Sequence, residues 1–138
     1  MGTTFQKEIV VLNSTEHLVE ARQAVSAALE ASPFNPSERR LVAVAVDEAL
    51  SNLVRNAKQE GREGHTEIRL SIDLNPVRLS ILVTDDRNDF YREAVDETLA
   101  RDQKLGLVLI RQIMDEIQYV YRRGIENTQQ MVKFTPSE

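Results

Sequence analysis

The sequence predicts an α+β fold, a two-layer sandwich in which a mixed, mostly antiparallel sheet is covered on one face by helices. Three observations predict it. Segments 67–74 and 77–83 both read as strands and are joined by Asn75-Pro76, and segments 118–122 and 130–134 repeat that arrangement around a turn at 124–127. Adjacent strands with short connections pair antiparallel. Three other segments carry apolar residues at helical spacing, and only one strand needs a crossover, so the helices gather on one side of the sheet.

Each element has its own local cause. Segment 5–12 reads as a strand, and Asn13-Ser14-Thr15-Glu16 follows as a capped helix start leading into Leu18, Val19, Ala21, Ala24, Val25, Ala28 and Leu29. Pro33 stops that helix. The next begins with Asn35 as cap, Pro36 at the first helical position and Glu38 at the third, the logic of a capping box, and runs to about Lys58. Gly61 and Gly64 bracket a loop, after which Glu67–Leu74 alternates polar and apolar as a half-buried strand does. From 84 to 104 the chain is polar, with a short helix expected at 91–99, and a connection of this length in a compact domain reads as a functional lid. An apolar helix is expected over 105–117.

At 138 residues, 41% hydrophobic and 28% charged, the chain has the size of one domain with a continuous core and the composition of a soluble globular protein. No run approaches a membrane span, the first residues lack the pattern of a signal peptide, and the absence of cysteine excludes disulfides and thiolate metal sites. These features fit the cytoplasm. A net charge of −5 argues against a nucleic-acid partner, whose footprint is basic, and favours a protein or small-molecule partner.

The most informative stretch is 46–57, where Glu48, Asn52 and Asn56 recur at i, i+4 and i+8 within an apolar helical pattern. At roughly 100° per residue, Val42, Val46, Ala49, Leu53 and Ala57 centre the buried face and Asp47, Ser51, Arg55 and Lys58 fall on the solvent side, with the polar ridge along the border. Asparagine is a poor helix former, costing roughly 0.5 kcal/mol relative to alanine, so two of them at a core border need partners. A carboxylate one turn from an amide oxygen suits a hard cation or an oriented water. Ordinary bonds to water or neighbouring backbone satisfy the same residues.

These residues, in this order with two further segments, carry a resemblance. The chain is similar to the ATP-binding domain (Bergerat fold) shared by gyrase, a heat-shock chaperone, sensor histidine kinases and mismatch-repair ATPases. More narrowly, it resembles bacterial anti-sigma factors that are also serine kinases, and the similarity covers nearly the whole chain. The family's Glu-x-x-x-Asn is matched by Glu48 and Asn52, which implies Glu48 as general base and Asn52 as Mg²⁺ ligand, with Asn56 on the same ridge. Its Asp-x-Gly-x-Gly-Phe box reads Asp85-Asp86-Arg87-Asn88-Asp89-Phe90, implying adenine contact by Asp85 and Phe90. Its Gly-Leu-Gly-Leu box reads Lys104-Leu105-Gly106-Leu107, implying phosphate contact by Leu105, Gly106 and Leu107 at a helix start, and Thr128 sits where the family has a threonine near adenine. Asp85 and Asp86 also suit a plain loop or cap, and Gly106 a tight turn into a helix.

The resemblance implies ATP and Mg²⁺ as cofactors, a sigma factor and an anti-sigma-factor antagonist protein as partners, and a homodimer. Arg87, Asp89 and Lys104 replace box glycines, where the backbone approaches the ligand or takes φ > 0. Those replacements raise an alternative, a nucleotide-free partner-binding module of the same fold. A catalytic fragment of a histidine kinase fits less well, because the chain starts with its own strand and helix. His17 and His65 read as surface residues.

Overall fold

A computed structural model describes residues 4–85, 101–122 and 126–136. Strand β1 (Phe5–Leu12) is followed by a single 3-10 turn (Thr15–His17), helices α1 (Leu18–Ala31) and α2 (Pro36–Gln59), strands β2 (Glu67–Leu74) and β3 (Arg78–Asp85), helix α3 (Arg101–Ile113), and strands β4 (Glu116–Arg122) and β5 (Glu126–Phe134). The strands form one sheet in the order β1-β2-β3-β5-β4, and every pairing is antiparallel. The expected α+β sandwich is therefore observed. The expected helix at 91–99 and the tip of the final hairpin at 123–125 lie outside the described residues.

Strand alternation sets the two faces. Ile68, Leu70, Ile72 and Leu74 of β2 and Leu79, Ile81 and Val83 of β3 are buried, and they join Leu18, Ala21, Val25, Val42, Val46, Leu50 and Ile110 of the helices in one core. The β2–β3 turn is fixed by Asn75, whose Oδ1 accepts from the amides of Val77 at 2.8 Å and Arg78 at 2.9 Å.

The capping box of α2 forms as expected: Asn35 Oδ1 accepts from the Glu38 amide at 2.8 Å, and Glu38 Oε1 accepts from the Asn35 amide at 3.4 Å. At α1 the start differs. Ser14 caps no backbone N–H; its hydroxyl meets His17 Nδ1 at 2.6 Å, and the chain spends a 3-10 turn before the helix proper.

Two boundaries moved for identifiable reasons. Strand β3 runs on to Asp85, because its partner β5 continues the ladder through Thr84↔Thr128 and Asp85↔Asn127. Helix α3 ends at Ile113, where Lys133 Nζ donates to the Ile113 carbonyl at 2.9 Å. The Asp115 amide then joins Val132 O, also at 2.9 Å, and Asp115 Oδ2 accepts from the Phe134 amide at 2.7 Å. Strand β5 thus captures the end of a helix that apolar periodicity alone would continue.

Candidate functional site

Helix α2 supplies the ridge. Its buried side carries Val42, Ala45, Val46, Ala49, Leu50, Val54 and Ala57, and Glu48, Asn52 and Asn56 stand half-buried beside it. The Asn56 carbonyl accepts from the Glu60 amide at 3.0 Å where the helix ends.

Around Glu48 and Asn52 the structure gathers a compact cluster. Arg55 Nη2 donates to Glu48 Oε1 at 3.2 Å and also to Asn52 Oδ1. Arg55 was expected on the solvent side, and this is a correction that helix geometry itself explains. Seven residues turn a helix by roughly 700°, within about 20° of two full circles, so Arg55 lies over Glu48 rather than over Asp47. Asp47 does face outward, paired with Arg22 of α1 at 2.5 Å with both side chains well exposed.

Helix α3 closes the other side of this cluster. Gly106 is buried, and a Cβ added there would lie 2.8 Å from Glu48 Cδ and 2.9 Å from Cγ, so any side chain would have to displace the Glu48 carboxylate. Glycine inside a helix costs about 1 kcal/mol relative to alanine, and the close approach to Glu48 is its physical reason. The start of α3 bears on the phosphate contact expected of this residue. Helix α3 begins at Arg101, so Gly106 sits roughly one and a half turns inside it, where its N–H belongs to the helical ladder and not to the free amides that hold a phosphate. Leu107 is half-buried, and Leu105 points outward at 62% exposure, away from any enclosed ligand.

A second cluster surrounds Asp85, the last residue of β3. Asp85 pairs with Ile68 across the sheet, which puts its carboxylate on the helix-covered face, and it is fully buried. Arg62 Nη2 lies 3.8 Å from Asp85 Oδ2. The guanidinium is anchored by Glu60 Oε1 at 2.7 Å from Nε and by Thr66 Oγ1 at 3.1 Å from Nη1. A buried carboxylate is costly without a compensating charge, and Arg62 supplies one. The loop reaches this position because the Arg62 amide bonds to Ala57 O at 2.7 Å, with Gly61 at φ 72° and Gly64 at φ 79° turning the chain.

Thr128 does not face this pocket. Its register partner is Thr84, with the two hydroxyls 3.4 Å apart, and alternation along β3 puts that pair on the sheet face opposite Asp85. The strand register thus gives the adenine contact expected of Thr128 no support. Phe90, with Asp86, Arg87 and Asp89, lies outside the described residues, as does the side chain of Lys104.

The structure thus joins Glu48, Asn52 and Gly106 in one cluster and links it along α2, through Asn56 and the Ala57–Arg62 bond, to Asp85. Two arginines complete the picture. The helical phase announces Arg55, whereas no periodic signal marks Arg62, which sits in a glycine-bracketed loop. The donor set fits a divalent cation: two side-chain oxygens one turn apart already converge on a single positive group. Among the described residues no cluster of three histidine or carboxylate groups could hold a metal alone. Such a donor set suits Mg²⁺, which usually takes one or two protein oxygens and completes its shell with phosphates and water.

A family model described as the histidine kinase-like ATPase domain matches residues 11–135. No match was found among curated proteins. No helix among the described residues is long and apolar enough to cross a membrane.

Proposed function

The chain belongs to the histidine kinase-like ATPase domain family, and from that premise we propose that it is a Mg·ATP-dependent serine-protein kinase of the anti-sigma type. The observation that carries the reading is the convergence of Glu48 Oε1 and Asn52 Oδ1 on one cationic group. Asn52 would hold Mg²⁺, with Asn56 beside it on the ridge, and Asp85 would accept from the adenine amino group. When bound there, Mg²⁺ would supply positive charge to offset that of the phosphates. Glu48, only partly exposed, is placed to accept the proton of a serine hydroxyl once its bond to Arg55 is released. Phosphoryl transfer depends chiefly on positioning and charge neutralisation, so this small set of groups suffices.

The substrate in this reading is a serine of a small antagonist protein, and the sequestered partner is a sigma factor, bound by a homodimer in the cytoplasm. Support comes from the order of the three boxes and from half-exposed Leu41 and Val44 on α2 and Val108 on α3, apolar side chains of the kind a partner covers. The test is transfer of labelled phosphate from ATP to a serine-bearing antagonist, retained by the parent protein and lost in Glu48→Ala.

A specific observation favours a second reading, a nucleotide-free partner-binding module. Glu48 and Asn52 are held by Arg55 and Asp85 is faced by Arg62, so the chain's own cations occupy the positions a nucleotide complex would take. Absence of nucleotide binding together with retained partner binding selects this reading.

A further inference from the structure

We propose that Arg55 is a built-in competitor of the metal cation: its guanidinium holds the Asn52 oxygen that Mg²⁺ would take, and with it the neighbouring Glu48 carboxylate, so metal binding and Arg55 release form one coupled event. The inference rests on the nucleotide-binding reading above and deepens it, by assigning the residue that sets how strongly the site depends on metal.

The geometry is specific. Arg55 stands three residues beyond Asn52 and seven beyond Glu48, which stacks all three on one stripe of α2. A guanidinium Nη2 carries two N–H donors, enough to hold two acceptors that lie one helical turn apart. Its Nη2 contacts both the Glu48 carboxylate and the Asn52 amide oxygen. A divalent cation drawn to the Asn52 oxygen would meet the Arg55 charge at contact distance, so the two cannot be accommodated together.

The surroundings say which group yields. Gly106 of α3 lies against the far side of Glu48, so the carboxylate cannot retreat in that direction. Asn52 is fixed to the helix by a short side chain. Arg55 is the long, flexible member, and at 36% side-chain exposure it can swing toward solvent without unpacking the core.

Calorimetric titration with ATP tests this, in millimolar Mg²⁺ and again in chelator, for the parent protein, Arg55→Met and Arg55→Lys. The quantity read is the ratio of Kd without metal to Kd with metal. Removing a competitor raises that ratio, by about fivefold for Arg55→Met if the pair has the strength of a good partly exposed ion pair. Arg55→Lys, which keeps a positive charge at this position, raises it by a smaller factor. Should Arg55→Met weaken binding equally with and without metal, Arg55 is a phosphate contact and the competitor role is overturned. If neither the parent nor a variant binds ATP in either condition, the nucleotide reading itself falls, and this inference with it. Where Arg55→Met fails to fold, Arg55→Lys decides, together with the Arg55 Nε–H resonance of the parent protein, which must shift on adding Mg·ATP and stay unmoved by ATP in chelator.

Discussion

Gly106 of α3 lies directly against the carboxylate of Glu48 on α2, so closely that a side chain at 106 would have to displace it. The contact fixes the spacing of the two helices at the centre of the candidate site. It also gives a glycine within a helix a purpose that its position in a phosphate-binding box would not have supplied.

A double-mutant cycle on this pair should show strong coupling. In a Glu48→Ala background, Gly106→Ala meets no carboxylate and should stabilise the protein by up to about 1 kcal/mol, the helix-propensity gain. With Glu48 present the added methyl must displace the carboxylate and break its bond to Arg55, so the gain should vanish or reverse. Urea unfolding of the four proteins measures both values, and equal effects in the two backgrounds would show that the helices are not spaced by this contact.

Loss of the α2 cap should cost stability and leave the site alone. Asn35→Ala removes the acceptor for the Glu38 amide and should destabilise by about 1 kcal/mol. Because the cap lies at the far end of α2 from Asn52, nucleotide affinity should not change. Thermal unfolding and nucleotide titration of the same preparation check the two halves of this expectation.

Asp85→Asn should destabilise by roughly 1–3 kcal/mol, since it leaves the Arg62 guanidinium without its buried countercharge. Glu60 retains a hold on Arg62, which keeps the loss below that of an isolated buried pair. Adding Arg62→Gln should recover part of the loss. If the single and double variants unfold at the same denaturant concentration, Arg62 is not the group that compensates Asp85.

Most of the architecture was legible because it rests on local chemistry. The capping box at Asn35 and Glu38, the Asn75 turn and the alternation of Glu67–Leu74 each appear as the sequence implies. What local pattern could not supply was set by distant partners. Helix α3 stops at Ile113 because Lys133, far along the chain, takes its last carbonyl, and β3 reaches Asp85 because β5 continues beside it. In the site, the ridge of Glu48, Asn52 and Asn56 was readable from spacing, and Arg55 belonged to it by the same arithmetic. The face occupied by Thr128 depends on strand register, and the position of Gly106 on where α3 begins; neither is written in a short motif.

In the proposed function, Glu48, Asn52 and Asp85 serve a Mg·ATP site. The most direct measurement is the unfolding temperature of the parent protein and of Asn52→Ala across a range of Mg·ATP concentrations. The parent should rise with nucleotide, by the equivalent of about 2.7 kcal/mol at a hundred times the dissociation constant, and Asn52→Ala should rise little or not at all. An unfolding temperature of the parent that stays constant up to millimolar Mg·ATP would contradict it.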